Sequence, residues 1–130
     1  MDQRFTKEER LTSKILIGRL FAEGKKLHVY PFRITYLTAP LPTEFPVQLL
    51  VSVPRSYFRK ASDRNRIKRL IREGYRRNKD ILYGPLKERN IQIALCIQYA
   101  SKEMPSFTLI REKIIVLLQR LRKENAEIAE

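Results

Sequence analysis

Residues 63–80, DRNRIKRLIREGYRRNKD, leave this chain few ways to fold. Between residues 64 and 77 there are seven Lys or Arg and one acid, Glu73. At about 100° per residue, Ile67, Leu70, Ile71 and Gly74 gather on one side of a helix. Arg64, Asn65, Lys68, Arg69, Arg72 and Arg76 fill most of the opposite side. Such a helix must lie against a core by its apolar side and leave a nearly pure cationic side open. Arg64 with Lys68, Lys68 with Arg72, and Arg72 with Arg76 are like charges four residues apart, and each pair repels by about 0.2–0.5 kcal/mol. An ordinary solvated face mixes signs and avoids that repulsion. Phosphates would neutralise the cations, and arginine forks hold phosphate oxygens in pairs. Asn65 adds an amide able to read a base edge or a ribose hydroxyl. The plainer alternative is a solubilising face with no partner.

The whole chain leans the same way. It has 130 residues, enough for one domain, and 43% of them are hydrophobic, which supplies a core. The net charge is +13. Self-repulsion on that scale destabilises a compact state, so a polyanionic partner is the usual reason for it. Nucleic acid is the first candidate, an anionic membrane surface the second, and a merely basic surface the third. Cys96 is the only cysteine, which rules out an internal disulfide and suits a reducing compartment. The start, MDQRFTKEERLTSK, has no apolar stretch and does not read as a signal peptide. No apolar run approaches the roughly 18 residues of a spanning helix. The expected location is the cytoplasm.

Residues 1–11 are polar and expected to be mobile. Thr12 or Ser13 can cap a short helix, SKILIGRLFAEGKK, with Gly24 just past its end. HVYPFRITYL reads as one strand with Tyr30, Phe32, Ile34 and Tyr36 on one face, and Pro31 places it at an edge or at its start. After the proline-rich loop APLPTEFP, VQLLVSVP is a second strand with Val47, Leu49, Val51 and Val53 in alternation. RSYFRKASD leads into the basic helix, and Tyr83, Gly84 and Pro85 mark a loop after it. IQIALCIQYA is a third strand. A last helix near 107–124, capped by Ser106, carries Ile110, Ile114, Leu117, Leu118 and Leu121 at helical spacing. The acidic end, residues 125–130, is expected to fray. The expected fold is a single-domain α+β sandwich in the order α-β-β-α-β-α, a small mixed sheet with packed helices.

The run Arg64-Asn65-Arg66-Ile67-Lys68-Arg69-Leu70-Ile71-Arg72-Glu73 resembles the signature helix of the bacterial ribonuclease P protein subunit. That pattern is RNR, one residue, KR, two residues, then R and an acid or amide, and every position matches. Arg10-Leu11 before a short helix with Phe21 and Gly24 is similar to the family's N-terminal helix, and Val51-Ser52-Val53 to the strand before the signature. The resemblance implies a left-handed β-α-β crossover around the basic helix, against the usual handedness. It also implies a part in removing the 5′ leader from precursor tRNA, with an RNA subunit as the catalyst. Magnesium would be held mainly by that RNA and none by the protein alone. The partners implied are the catalytic RNA and the leader, not DNA or a membrane, with the protein alone a monomer.

By position, RNA contact then falls to Arg64, Asn65, Arg66, Lys68, Arg69 and Arg72, with Arg76 beside them, and Arg66 is a candidate to face protein and buttress the helix. Arg55, Arg59 and Lys60, in a loop one residue longer than the family's common form (54–62), are further phosphate contacts, while Tyr57 and Phe58 pack the loop. The leader would lie between the N-terminal helix and the sheet. Phe21 matches an aromatic position there, and Ile17 stands where the family often has an aromatic. Phe32 or Tyr36 would offer another stacking platform. Read from the residues alone, an aromatic on an apolar face is more often core.

No catalytic centre of the protein's own is visible. His28 and Cys96 make no zinc set. Glu8, Glu9, Glu23 and Glu73 form no spaced pair. GRLFAEGKK resembles a phosphate loop, but its glycines are one residue too far apart and the final Ser or Thr is missing. The main alternative is a non-catalytic structural RNA-binding protein, such as a ribosomal protein. A DNA regulator would need a helix-turn-helix pair where strands precede the basic helix. A membrane-surface helix would carry bulky interfacial Trp, and the chain has no Trp.

Overall fold

Four strands make one sheet in the order β1-β2-β4-β3, where β1 is Lys25–Val29, β2 Phe32–Thr38, β3 Val47–Ser52 and β4 Ile93–Tyr99. The computed structural model describes residues 3–128, and side chains as far as Asn125. β1 and β4 both run antiparallel to β2, and β3 runs parallel to β4. The helices are α1 (Lys14–Glu23), α2 (Ala61–Asn78), α3 (Asp80–Glu88) and α4 (Phe107–Ile128). The result is a single small α+β domain.

The sheet has two unlike faces because strand side chains alternate. Phe32, Ile34 and Tyr36 of β2, with Leu95, Ile97 and Tyr99 of β4, point into the main core. There they meet Ile67, Ile71 and Tyr75 of α2 and Ile114, Leu117 and Leu121 of α4, all fully buried. Ala94 and Cys96 point the other way, into a smaller cluster with Leu16 and Leu20 of α1. β4 is covered on both faces, which is why its sequence is apolar nearly throughout. α1 covers only part of its side and leaves an open strip of sheet beside it.

Two elements depart from the expected order. HVYPFRITYL is not one strand: the chain turns at Tyr30-Pro31, and β1 pairs back on β2 with Val29 opposite Phe32 and Lys25 opposite Tyr36. The expected loop at 83–85 is helical: α3 includes Gly84 and Pro85, because Leu82, Tyr83 and Leu86 at helical spacing are buried in the main core. Ser13 caps α1 by accepting from the Leu16 amide at 3.3 Å. Gly24 closes that helix with φ −68°, so it is not there for a left-handed turn. Its lack of a side chain serves close approach: a Cβ would clash with the Leu20 carbonyl and lie 2.8 Å from Thr35 Cγ2.

Residues 5–11, expected to be mobile, make specific contacts with the domain. The Leu11 amide donates to the Leu49 carbonyl at 3.0 Å, and Leu11 is buried. A 3-10 turn, Lys7–Glu9, carries Glu9 fully inside the protein. Its carboxylate accepts from Lys79 Nζ at 2.9 and 3.0 Å, from the Tyr83 hydroxyl at 2.6 Å and from the Thr6 amide at 3.0 Å. Lys79 Nζ also donates to the Arg4 carbonyl at 2.6 Å. A buried charge needs such partners, and here they clasp the arm to the junction of α2 and α3. α4 continues as far as Ile128. Residues 1–2 and 129–130, expected to be mobile, lie outside the described residues.

Candidate nucleic-acid interface

α2 lies on the core as its wheel requires. Ile67, Ile71 and Tyr75 are fully buried, and Leu70 is partly buried against them. Gly74 faces α4, where a Cβ would sit 3.6 Å from Ile110 and Ile114. Asn65, Arg66, Arg69 and Arg77 are exposed, and Lys68, Arg72 and Arg76 are half-buried. Arg66 is therefore not the buttress. Arg64 takes that part, because the first turn of α2 brings it against the carbonyls of the preceding loop. Its Nη1 donates to the carbonyls of Phe58 at 2.8 Å and Arg59 at 2.9 Å. In that loop Arg55, Arg59 and Lys60 are exposed, while Phe58 is buried against Tyr99 with ring centroids 6.1 Å apart.

One flank of α2 forms a cleft with the N-terminal arm. Phe5, Arg10, Asn65, Arg69, Arg72, Glu73 and Arg76 line about 370 Å³. The single acid is already engaged: Glu73 accepts from Arg76 at 2.6 and 2.9 Å and from Arg77 at 2.9 Å. The Arg76 hydrogen bond is the main reason its carboxyl is held down at about 2. Arg72 shows the opposite strain. Burial, and after it the charge of Arg10, push its guanidinium below the ordinary value. Cations held this close favour an anion between them. Arg10 has no place in the charge run, and only the fold brings it there. Its guanidinium stacks over the Phe5 ring at 5.8 Å, and Phe5 meets Tyr75 edge-on at 5.9 Å.

A second groove opens between α1 and the sheet. Phe21 is 52% exposed and borders about 410 Å³ lined also by Lys26, His28, Arg33, Thr35 and Gln98. Strand pairing sets His28 opposite Arg33 and Arg33 opposite Gln98, a polar row across the uncovered strip. The Arg33–Gln98 side of this groove was not among the expected contacts. The alternation of FRITY could have found it once the core face was known.

Phe32 and Tyr36 are corrections. They are 1% and 2% exposed and sit on the opposite, core face of β2. Phe32 packs edge-on against Tyr99 at 6.2 Å, and the Tyr36 hydroxyl donates to Glu124 at 3.2 Å. Neither can offer a ring to a base. Ile17 is half-buried against the smaller cluster under α1.

Among the described residues no three His, Cys, Asp or Glu side chains gather as a metal site requires. Cys96 is buried, and burial pushes its thiol up to about 11, away from nucleophilic use. Among these residues no helix is long and apolar enough to cross a membrane.

The fold and the cleft together define a small basic α+β domain with arginines gathered along one open cleft. The pattern of the family described as Ribonuclease P matches residues 5–122, and the chain belongs to that family. It is similar to the ribonuclease P protein component of Porphyromonas gingivalis, 38% identical over 116 residues that cover 89% of this chain and 85% of that one. It is also similar to that of Thermotoga maritima, 32% identical over 128 residues, covering 93% and 98%. The solved structure of the Thermotoga maritima protein superposes with a TM-score of 0.68 at 28% identity, covering 85% of this chain and 96% of that one. A Staphylococcus aureus ribonuclease P protein, 20% identical with a TM-score of 0.66, shares the fold.

Proposed function

We propose how this chain acts as a protein subunit of ribonuclease P, the endoribonuclease of tRNA 5′ maturation: two separate surfaces grip two RNAs. The α2 cleft binds the catalytic RNA, and the groove beside α1 takes the leader of precursor tRNA. The observation that carries this is the arginine cleft, whose only carboxylate is already neutralised. In it Arg69 and Arg72 meet backbone phosphates and Asn65 meets a base edge or ribose hydroxyl. Lys68, Arg66 and the loop residues Arg55, Arg59 and Lys60 extend the same charged surface. Arg64 supports it from behind by fixing the loop carbonyls. In the groove, Phe21 offers a ring for stacking while Lys26 and Arg33 hold the strand's phosphates. The family match favours this over a ribosomal protein.

The protein then works by binding and orientation. It brings cations to places where two RNAs converge and holds the leader against the sheet. Magnesium would sit on the RNA and supply the hydrolytic chemistry there, and no step passes through a protein-bound ion. The partner is RNA rather than DNA or a lipid surface, the setting is cytoplasmic, and the protein alone is a monomer.

Binding to the catalytic RNA over a salt series tests the cleft. Arg69→Ala and Arg72→Ala should each weaken binding and lower the log–log salt slope by about 0.7–0.9. Slopes that match the unaltered protein would return α2 to a solvated face.

A further inference from the structure

The N-terminal arm reaches α2 by a device that stability alone does not explain. Glu9 and Lys79 are 0% and 4% exposed at their side chains and pair at 2.9 Å. Replacing a buried ion pair with apolar residues is often neutral or stabilising, so such a pair is weak as a stability device and suits one that fixes a geometry. What it fixes is the residue next to Glu9. Arg10 follows directly, and its backbone bridges to Leu49 of β3. Phe5 sits beneath its guanidinium and rests in turn on Tyr75. The Tyr75 hydroxyl donates to that of Tyr83, which donates to Glu9. The clasp, the aromatic pair and Arg10 are thus one connected unit. It delivers a cation to the cleft that Arg72 also lines, where the two charges already act on each other.

We infer that Arg10 and Arg72 form a two-sided clamp on one backbone phosphate of the catalytic RNA, and that the buried Glu9–Lys79 pair positions Arg10 for it. The inference rests on the RNA-partner reading above and adds the N-terminal arm to the interface. Two guanidiniums from separate segments can hold different oxygens of one phosphate, and bringing them together in advance removes an ordering cost from binding. The cleft of about 370 Å³ has room for the phosphate with its ribose. Asn65, which lines the same cleft, would meet the sugar or base beside it. Arg10 contacts the RNA in this scheme, whereas Glu9 and Lys79 act only through it.

The test is a pair of double-mutant cycles on the full chain, read as affinity for a bacterial ribonuclease P RNA over a KCl series. Arg10→Ala should weaken binding about tenfold or more and lower the salt slope by about 0.7–0.9. Arg10→Ala with Arg72→Ala should cost clearly less than the sum of the two single losses, because both serve one phosphate. Glu9→Gln should weaken binding in the unaltered chain and do nothing further once Arg10 is Ala. Thermal melting checks that each variant is folded. If Glu9→Gln does not fold, the Arg10–Arg72 cycle still decides the clamp. Arg10→Lys, which keeps the charge without the fork, should then keep most of the slope and lose part of the affinity. Unchanged binding by Arg10→Ala, or fully additive losses, would overturn the inference and leave the α2 interface standing. Failure of the unaltered chain to bind the RNA would overturn the partner reading and this inference with it.

Discussion

Phe21 and Phe32 have the same side chain and opposite fates. Phe21 is half-exposed over the groove, while Phe32 is buried in the main core beside its cross-strand partner Tyr99. Phe21→Ala should therefore lower affinity for precursor tRNA about 5- to 150-fold, the equivalent of ~1–3 kcal/mol for one stacked base, and leave mature tRNA nearly unaffected. Phe32→Ala should instead cost about 3–5 kcal/mol of folding stability and show no preference between the two tRNAs. Melting curves and binding to both tRNAs separate the cases, and a Phe21→Ala protein that merely melts early would place Phe21 in the core. The alternation in FRITY is legible in the sequence and groups Phe32, Ile34 and Tyr36 on one face. What it does not say is which face meets the larger helices, since both faces of a sheet can be covered. That choice is made by α2 and α4, far away in sequence. Arg10 enters the sequence reading only through its likeness to the family's N-terminal segment; its place in the cleft was out of reach for a similar reason, because a lone arginine before an apolar residue has no periodic signal.

At the scale of elements, α2 was the most legible because two patterns coincide in it. Apolar residues at helical spacing gave its seat, and the uninterrupted cations gave its open flank. The one acid within its cationic run, residues 64–77, now has a definite job. Glu73 ties Arg76 and Arg77 to the helix, and its carboxyl is held at about 2 against an ordinary 4.5. A carboxyl depressed by folding stabilises the fold wherever the unfolded chain would also be ionised. The contribution is therefore full above the ordinary value and is lost as pH falls toward 2. Glu73 is partly exposed, so solvent screening keeps the effect modest. Glu73→Gln should melt slightly below the unaltered protein near neutral pH, and the gap should close with acidification. A gap that stays constant with pH would mean that packing, not charge, is what the substitution removes. Elements with weaker signals were misread. β1 is only Lys25–Val29 and alternates around two buried residues, too little to stand apart from β2. α3 was hidden because Gly84 and Pro85 signal a turn, while burial of Leu82, Tyr83 and Leu86 outweighs that local preference.

At the scale of the whole molecule, the fold keeps the two proposed RNA surfaces apart. The sheet stands between the α2 cleft on one side and the α1 groove on the other, so the proposal lets one body touch a catalytic RNA and a leader at once. A net charge of +13 would make such a body repel itself, and it is best understood in the presence of its anionic partners. The central claim is that this chain assists an RNA catalyst rather than carrying out chemistry itself. The most direct measurement is cleavage of a precursor tRNA by a bacterial ribonuclease P RNA at near-physiological magnesium, with and without the protein. The account predicts slow or undetectable leader removal by the RNA alone, rapid removal with the protein, and no cleavage by the protein alone. Equal rates with and without the protein, or cleavage by the protein in the absence of the RNA, would contradict it.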